Sequence, residues 1–174
     1  MPRVAVALAL CAALVVAVGC GGGGSSSGAP TAAAPVHPGG GGGQRAAREV
    51  AAYRTAVDAV LTSYSVAQRR AYRALRTAGD PTSFAAALGR LRRATVRAAD
   101  RLQAQRPPAP ATAPHRRFVA AFRSLARVLG AAISARNRSD FPRLRRVGRR
   151  LASGEFSRPI VSAAREIDAA LRPR

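Results

Sequence analysis

From Gln44 onward, apolar side chains recur at steps of three and four residues, and this spacing constrains the fold more than any other feature of the chain. Residues three and four apart lie on the same face of a helix, so the first series predicts one long amphipathic helix. We expect its three tyrosines in the core or at the edge of the core. The series consists of Val50, Tyr53, Val57, Val60, Leu61, Tyr64, Tyr72 and Leu75. No segment shows the two-residue alternation of a half-buried strand.

Glycine and proline predict where this helical pattern is interrupted. Gly79 is expected to end the first helix, and Asp80 to cap the second, with Pro81 at its first helical position. The prolines of residues 106–110 stop the second helix, since proline lacks a backbone N–H and favours an extended residue before it. The longer connection over 106–114 has room to cross one end of the domain.

Three more helices are predicted after this connection. The third begins near residues 112–115, and the fourth follows a turn at 137–140. The fifth is predicted to be capped by Ser157. The apolar stripes of helices two to five are, in chain order, Phe84, Leu88, Leu91, Thr95, Ala98 and Leu102; Phe118, Phe122, Leu125, Leu129 and Ile133; Phe141, Leu144, Val147 and Leu151; and Ile160, Ala164, Ile167 and Leu171.

The pattern therefore predicts an all-α domain over residues 44–174. We expect an antiparallel four- to five-helix bundle, in which the short fourth and fifth helices together take the place of one long helix. Many of its apolar positions are Ala, which permits close helix approach but buries little area per residue. The expected stability is modest.

A low-complexity segment precedes this domain. Residues 21–43 contain Gly, Ser, Ala and Pro almost exclusively and cannot bury enough apolar surface to offset the entropy of ordering. We predict a flexible linker that spans about 25–30 Å on average.

The first twenty residues have the pattern of an export signal. One charge at Arg3 precedes an apolar run from Val4 to Val18, and Gly19-Cys20 follows it. The sequence Ala17-Val18-Gly19-Cys20 resembles the lipobox of bacterial lipoproteins, although Leu is more usual where Ala17 stands. The alternatives are an ordinary cleaved signal peptide and an uncleaved membrane anchor. The apolar run is shorter than the roughly 20 residues that a spanning helix needs.

The lipobox resemblance implies a fate for residues 1–20. In that family the Cys thiol receives a diacylglyceryl group, and a peptidase cleaves just before the Cys. Residues 1–19 would then be a signal peptide, and Cys20 would carry the lipid, palmitate included, at the start of a linker ending at residue 43. The resemblance implies a lipid-anchored protein on the extracytoplasmic face of the cell membrane.

The charge of the chain is extreme. It has 29 basic and 8 acidic residues, a formal net charge of +21, and every basic residue is Arg. With its abundance of Ala, Gly and Pro, this composition is similar to that of proteins from GC-rich genomes, such as actinobacterial ones. A coding bias thus explains the arginines as well as selection for an anionic partner does. In either case the charge attracts anionic surfaces.

The densest basic segment lies in the predicted fourth helix. Arg143, Arg145, Arg146, Arg149 and Arg150 form one face of an amphipathic helix. This face is our candidate binding site for acidic headgroups, an anionic envelope polymer or another envelope protein. The alternative interpretation is the solvated side of a core helix. Nucleic acid is not expected as a partner, because an exported protein does not meet genomic DNA and no helical recognition motif is present.

No combination of residues predicts a catalytic, metal or cofactor site. Only His37 and His115 offer imidazole; the first lies in the linker, and we expect the second to meet solvent at a helix start. The scattered acids are expected in ion pairs on helix surfaces. We therefore predict a binding protein that is not an enzyme.

Two other functions remain open at this point. The Ala-rich stripes could leave a cavity for a small apolar ligand between the helices. An enzyme would instead require an inward-facing cluster of His115 with Asp58, Asp100 or Glu166.

Overall fold

The computed structural model describes residues 41–172. The predicted signal peptide over 1–19, the predicted lipidation site Cys20 and the linker up to residue 40 lie outside the described residues.

The described chain consists of α-helices, one short 3₁₀ helix and turns. No β-strand occurs between residues 41 and 172, which confirms the all-α prediction. The elements are α1 (Gly41–Thr77), α2 (Pro81–Gln103), the 3₁₀ helix (Ala109–Ala111), α3 (Thr112–Asn137), α4 (Phe141–Ala152) and α5 (Ser157–Ala170). Helix α1 begins three residues before the predicted start at Gln44, so it includes the last residues assigned to the linker.

Aspartates cap the N-termini of α2 and α4. The Asp80 carboxylate accepts hydrogen bonds from the backbone N–H groups of Thr82 and Ser83 at 2.8 and 2.9 Å, and Pro81 follows at the start of α2, as predicted. Asp140 accepts from the N–H of Arg143 at 3.0 Å. Each side chain satisfies N–H groups that have no partner within the helix.

The prediction that Ser157 caps α5 is wrong. Its hydroxyl donates to the carbonyl of Gly154 at 3.2 Å, and Phe156 occupies the cap position without a side-chain hydrogen bond. The physical reason is the turn that enters α5. Gly154 has φ of 73°, a left-handed conformation that glycine adopts without strain, and this turn brings Ser157 back towards the Gly154 carbonyl.

The larger of two apolar clusters lies around the first half of α3. Phe118 and Phe122 are each 1% exposed and pack edge to face, with 5.3 Å between ring centroids. Tyr64 packs on Phe122 in the same way at 5.1 Å. We call this region the α5 end. Its buried residues are Tyr53, Val57 and Val60 of α1; Ala98, Ala99 and Leu102 of α2; Ala111 of the 3₁₀ helix; Phe118, Val119, Ala121 and Phe122 of α3; and Ile160, Ala163, Ile167 and Leu171 beside or within α5.

The smaller cluster lies around the second half of α3, and we call it the α4 end. Leu129 is fully buried at its centre. Tyr72 and Leu75 of α1 and Leu144 and Leu151 of α4 pack against it while remaining partly exposed. The expected positions of the three tyrosines, in the core or at its edge, are confirmed. The buried residues of the α4 end are Ala71, Leu88, Leu91, Leu129, Ala132 and Val147.

Helices α1, α2 and α3 contribute to both ends, and α3 is the helix on which α2, α4 and α5 all pack. Within the described residues, the segment Ala109–Asn137 is long enough to cross a membrane and contains an 18-residue window apolar enough to do so, with a mean hydropathy of 1.4. Core helices meet the same criterion, and its buried residues pack in both clusters. We assign its apolar side chains to the core.

Candidate anion-binding interface

The inner side of α4 is fixed by a narrow apolar stripe. Val147 is buried against the α4 end, and Leu144 and Leu151, three and four residues away, are partly buried beside it. A helix turns once in 3.6 residues, so these positions share one face. Among the described helices α4 packs on α3 alone, and most of its residues away from the apolar stripe are exposed.

All five arginines predicted for the site are exposed. Successive residues of a helix are rotated by about 100°. Arg145 and Arg149 are therefore turned farthest from Val147, by about 160°, Arg146 lies about 100° away, and Arg143 and Arg150 flank the buried stripe. The sequence of α4 contains no acidic residue.

Arg150 differs from the other four arginines because it has a partner. Its Nε donates to Oε2 of Glu155 at 2.8 Å, and its guanidinium carbon lies 5.0 Å from the ring centroid of Phe156. The hydrogen bond from Arg150 lowers the pKa of Glu155 below its ordinary value. The structure thus assigns Arg150 to the turn between α4 and α5.

The other four arginines of α4 carry uncompensated charge. No carboxylate among residues 41–172 lies within 4.0 Å of Arg143, Arg145, Arg146 or Arg149. Arginines also occur in every other α-helix, but α4 has five in 12 residues against five in 23 for α2. The density of α4 is therefore the feature that sets it apart, rather than the presence of arginine.

Acidic residues are distributed unequally between the two ends. Three acids belong to the turns around the α4 end, and all three are engaged: Asp80 and Asp140 cap helices, and Glu155 pairs with Arg150. Five acids lie beside residues of the α5 end, namely Glu49, Asp58, Asp100, Glu166 and Asp168. The basic residues of the α4 end are consequently less neutralised.

A second set of arginines adjoins the α4 end from α1. Ala71, Tyr72 and Leu75 pack in the same cluster as Val147. The neighbouring arginines Arg69, Arg70, Arg73 and Arg76 are all exposed. Cations here also complement the dipole at the C-terminus of α1. They belong to α1 and are not part of the α4 face.

Phe141 does not lie on the buried stripe where the sequence pattern placed it. It is 57% exposed, and it is the large apolar side chain that the described structure leaves open to water. Six positions from Val147 correspond to a rotation of about 120° away from the inner face. The regular spacing could not reveal this, because the inner face of α4 is set by its contact with α3.

His115 is buried, so the expectation that it meets solvent is wrong. It is 5% exposed, and its Nδ1 lies 2.8 Å from the Tyr53 hydroxyl. Burial lowers the pKa of His115, while a hydrogen bond with the Leu102 backbone acts in the opposite direction. Burial also raises the pKa of Tyr53 to about 12. The neutral ring accepts from the tyrosine hydroxyl, and this bond ties α1 to the start of α3.

The candidate enzyme residues are not assembled into a cluster. Asp58 and Asp100 are exposed. Glu166 accepts from Arg117 Nε at 3.0 Å and from the Ser162 hydroxyl at 3.1 Å, and these bonds, that from Arg117 first, lower its pKa. In the part of the chain that the structure describes, no three His, Cys, Asp or Glu side chains are grouped so that they could hold a metal ion.

Two concave regions bear on the idea of an interior ligand, and both are open grooves. A groove of about 500 Å³ runs between α2 and α3, with Arg92, Arg123 and Arg127 on its walls. A groove of about 140 Å³ lies between α1 and α2. The interior itself is occupied by fully buried side chains, the largest being Phe118, Phe122, Leu102, Leu129 and Thr95.

Comparisons with models of protein families, with curated proteins and with solved structures found no match to this chain.

Proposed function

We propose that this chain is a lipoprotein of the bacterial cell envelope, and that its helical domain is a binding module rather than an enzyme. Its partner is an anionic surface of the envelope, which it meets through α4. The observation that carries the proposal is a helix face with four exposed arginines and no carboxylate within 4.0 Å among the described residues.

The anchor is proposed from residues 1–20. The apolar run before Cys20 and the small residues next to it support removal of residues 1–19 and lipidation of Cys20. A lipid at Cys20 places the domain at the extracytoplasmic face, on a linker of about 25–30 Å. Lipid and basic face then act as two membrane signals, which together hold a protein more firmly than either does alone.

We infer that the domain is an antiparallel bundle of four to five helices. The C-terminal part of α2 shares the α5 end with the N-terminal parts of α1 and α3, while its N-terminal part shares the α4 end with their C-terminal parts. This arrangement supports a course of α2 opposite to that of both neighbours. The short helices α4 and α5 cover opposite ends of α3 and together take the fourth position.

The electrostatic binding energy expected from four arginines is large enough to support a binding role, and it depends on ionic strength. Each Arg near an anionic membrane surface contributes about 1 kcal/mol, so four give about 4 kcal/mol, or roughly three orders of magnitude in affinity. Exposed charges are screened over about 10 Å at 0.1 M salt. We expect tight binding at low salt and a steep loss as salt rises.

Two matched variants test the charge argument. The α4-face variant replaces Arg143, Arg145, Arg146 and Arg149 by Gln. The α5-end control variant removes the same charge at the other end by replacing Arg101, Arg106, Arg116 and Arg165, which are also exposed and have no carboxylate within 4.0 Å in the described range.

The measurement is sedimentation of residues 20–174, with Cys20→Ser in every variant, on washed cell-envelope fragments at low salt. These residues contain every helix of the structure. We expect the α4-face variant to lose up to about three orders of magnitude in affinity and the control variant less than tenfold. Equal losses would show that only net charge matters and would overturn the assignment to α4.

The anchor is tested separately by labelling cells with a palmitate analogue. We expect label on the chain, loss of the label in Cys20→Ala and retention of the unprocessed N-terminus in that variant. Unchanged processing together with unchanged label in Cys20→Ala would contradict the lipoprotein assignment.

A further inference from the structure

The exposed Phe141 indicates which anionic surface α4 meets. This aromatic ring is 57% exposed, whereas Phe118 and Phe122 are each 1% exposed. It lies at the first position of α4, immediately after the capping residue Asp140. Single apolar side chains are common on protein surfaces, so the informative feature is the place of this ring at the edge of a basic face.

The position of Phe141 relative to the arginines is specific. Residues four apart are neighbours on a helix surface, so Phe141 adjoins Arg145. Arg149 follows one further turn along the same side of α4. The outer side of α4 therefore carries an aromatic ring at one end and a row of guanidinium groups behind it.

We propose that Phe141 inserts into the interfacial layer of an anionic phospholipid bilayer while the arginines of α4 bind its headgroups. This inference rests on the proposed function and narrows it to one surface. Helices that lie on membranes combine Lys or Arg with Phe, Trp or Leu, because headgroups take the charges and the acyl boundary takes the apolar rings.

A bilayer accounts for both kinds of side chain, whereas a hydrated polyanion accounts for one. A soluble anionic polymer offers negative groups to Arg143, Arg145, Arg146 and Arg149 but no apolar layer in which Phe141 could be buried. The Phe141 ring would remain in water in that complex. Binding to a polymer should therefore ignore Phe141, and binding to a bilayer should depend on it.

The test uses residues 20–174 with Cys20→Ser and two probes. The first is vesicles of equal parts phosphatidylglycerol and phosphatidylcholine, and the second is soluble polyphosphate. Because Phe141 is more than half exposed, Phe141→Ala should leave the fold intact, and thermal unfolding checks this. We expect Phe141→Ala to weaken vesicle binding by about five- to tenfold and to leave polyphosphate binding unchanged.

A second variant reports insertion directly. The chain contains no Trp, so Phe141→Trp introduces a single indole, whose emission is excited selectively over that of the three tyrosines. We expect its emission to shift to the blue on vesicles and to be quenched by lipids brominated along the acyl chain. Thr62→Trp, at an exposed site on α1, is the control and should show neither effect.

The outcomes separate this inference from the proposed function. If the α4-face variant binds vesicles and polyphosphate as well as the parent does, or if the parent binds neither, both proposals fail. If binding depends on the arginines but Phe141→Ala binds vesicles like the parent, only the insertion of Phe141 is overturned. An unshifted spectrum of Phe141→Trp on bound vesicles would overturn it as well.

Discussion

The two ends of the domain are held together by different interactions. At the α5 end, side chains far apart in the sequence form polar contacts across helices. These contacts are Tyr53–His115, Arg54–Asp168 and Arg117–Glu166. At the α4 end, the side-chain pair Arg150–Glu155 joins residues only five positions apart, and the caps of Asp80 and Asp140 are equally local.

The contacts of the α5 end hold helices together, whereas those of the α4 end leave residues of α4 available to a partner. The α5 end joins helices through the Tyr53–His115 hydrogen bond and through the carboxylates of Asp168 and Glu166. Helix α4 is attached by one buried residue, Val147, and two partly buried leucines. Its outer face takes no part in holding the fold, which leaves four arginines and Phe141 available to a partner.

Truncation of one core residue at each end tests the difference in cohesion most strongly. Phe118→Ala should lower the free energy of unfolding by about 3–5 kcal/mol, since it leaves a large cavity where several helices meet. Val147→Ala removes far less buried surface and should cost about 1–2 kcal/mol. Urea unfolding followed by circular dichroism measures both. Equal costs would show that the two ends are equally cohesive.

Loss of the buried hydrogen bond at the α5 end should have the next largest effect. Tyr53→Phe leaves Nδ1 of His115 without its partner and should destabilise the domain by about 1–3 kcal/mol. Tyr72→Phe, in the partly exposed surroundings of the α4 end, is the matched control and should cost less than half as much. A harmless Tyr53→Phe would mean that the Tyr53–His115 contact is not a structural tie.

A substitution in the turn between α4 and α5 should have a smaller effect on the free energy of unfolding. Gly154 has φ of 73°, and a Cβ there would lie 3.3 Å from the Ser157 hydroxyl oxygen. Gly154→Ala should cost about 1–2 kcal/mol, because L-residues are strained in this conformation. Gly79→Ala is the control, since nothing lies within 4 Å of a Cβ at that site. The same urea unfolding curves would show whether the two variants differ.

The pH dependence of the α5 end should be the smallest effect. Burial lowers the pKa of folded His115 below 6.5, so the unfolded chain takes up this proton first as pH falls. The stabilisation that neutral His115 provides is complete above about pH 6.5. It is lost as the pH falls through the pKa of His115 in the folded chain. His115→Gln should remove the change in unfolding free energy between pH 7.5 and 5.5, and His37→Ala should keep it. An unchanged slope in His115→Gln would contradict this.

Features that depend on neighbouring residues could be predicted from the sequence. The capping of α2 by Asp80 is an interaction over two and three residues, and the stripe of Tyr53 and Val57 follows from helical spacing alone. The dense arginines of α4 were likewise visible in the sequence, and all of them proved exposed.

Features that depend on distant residues could not be predicted in this way. His115 is buried because Tyr53, 62 positions earlier, reaches its ring. Phe141 is exposed because α3 contacts the face of α4 that carries Val147, and spacing along α4 does not reveal which face its partner takes. Arg150 differs from the other arginines of α4 because the turn after α4 brings Glu155 within hydrogen-bond distance of it.

A salt titration shows whether binding resides in the face of α4. Binding of the parent, the α4-face variant and the α5-end control variant to the anionic vesicles is measured between 0.1 M and 1 M salt, where the screening length falls from about 10 Å to about 3 Å. We predict steep, parallel losses for the parent and the control variant and a weak, nearly flat response for the α4-face variant. Equal slopes for the two variants would contradict the claim.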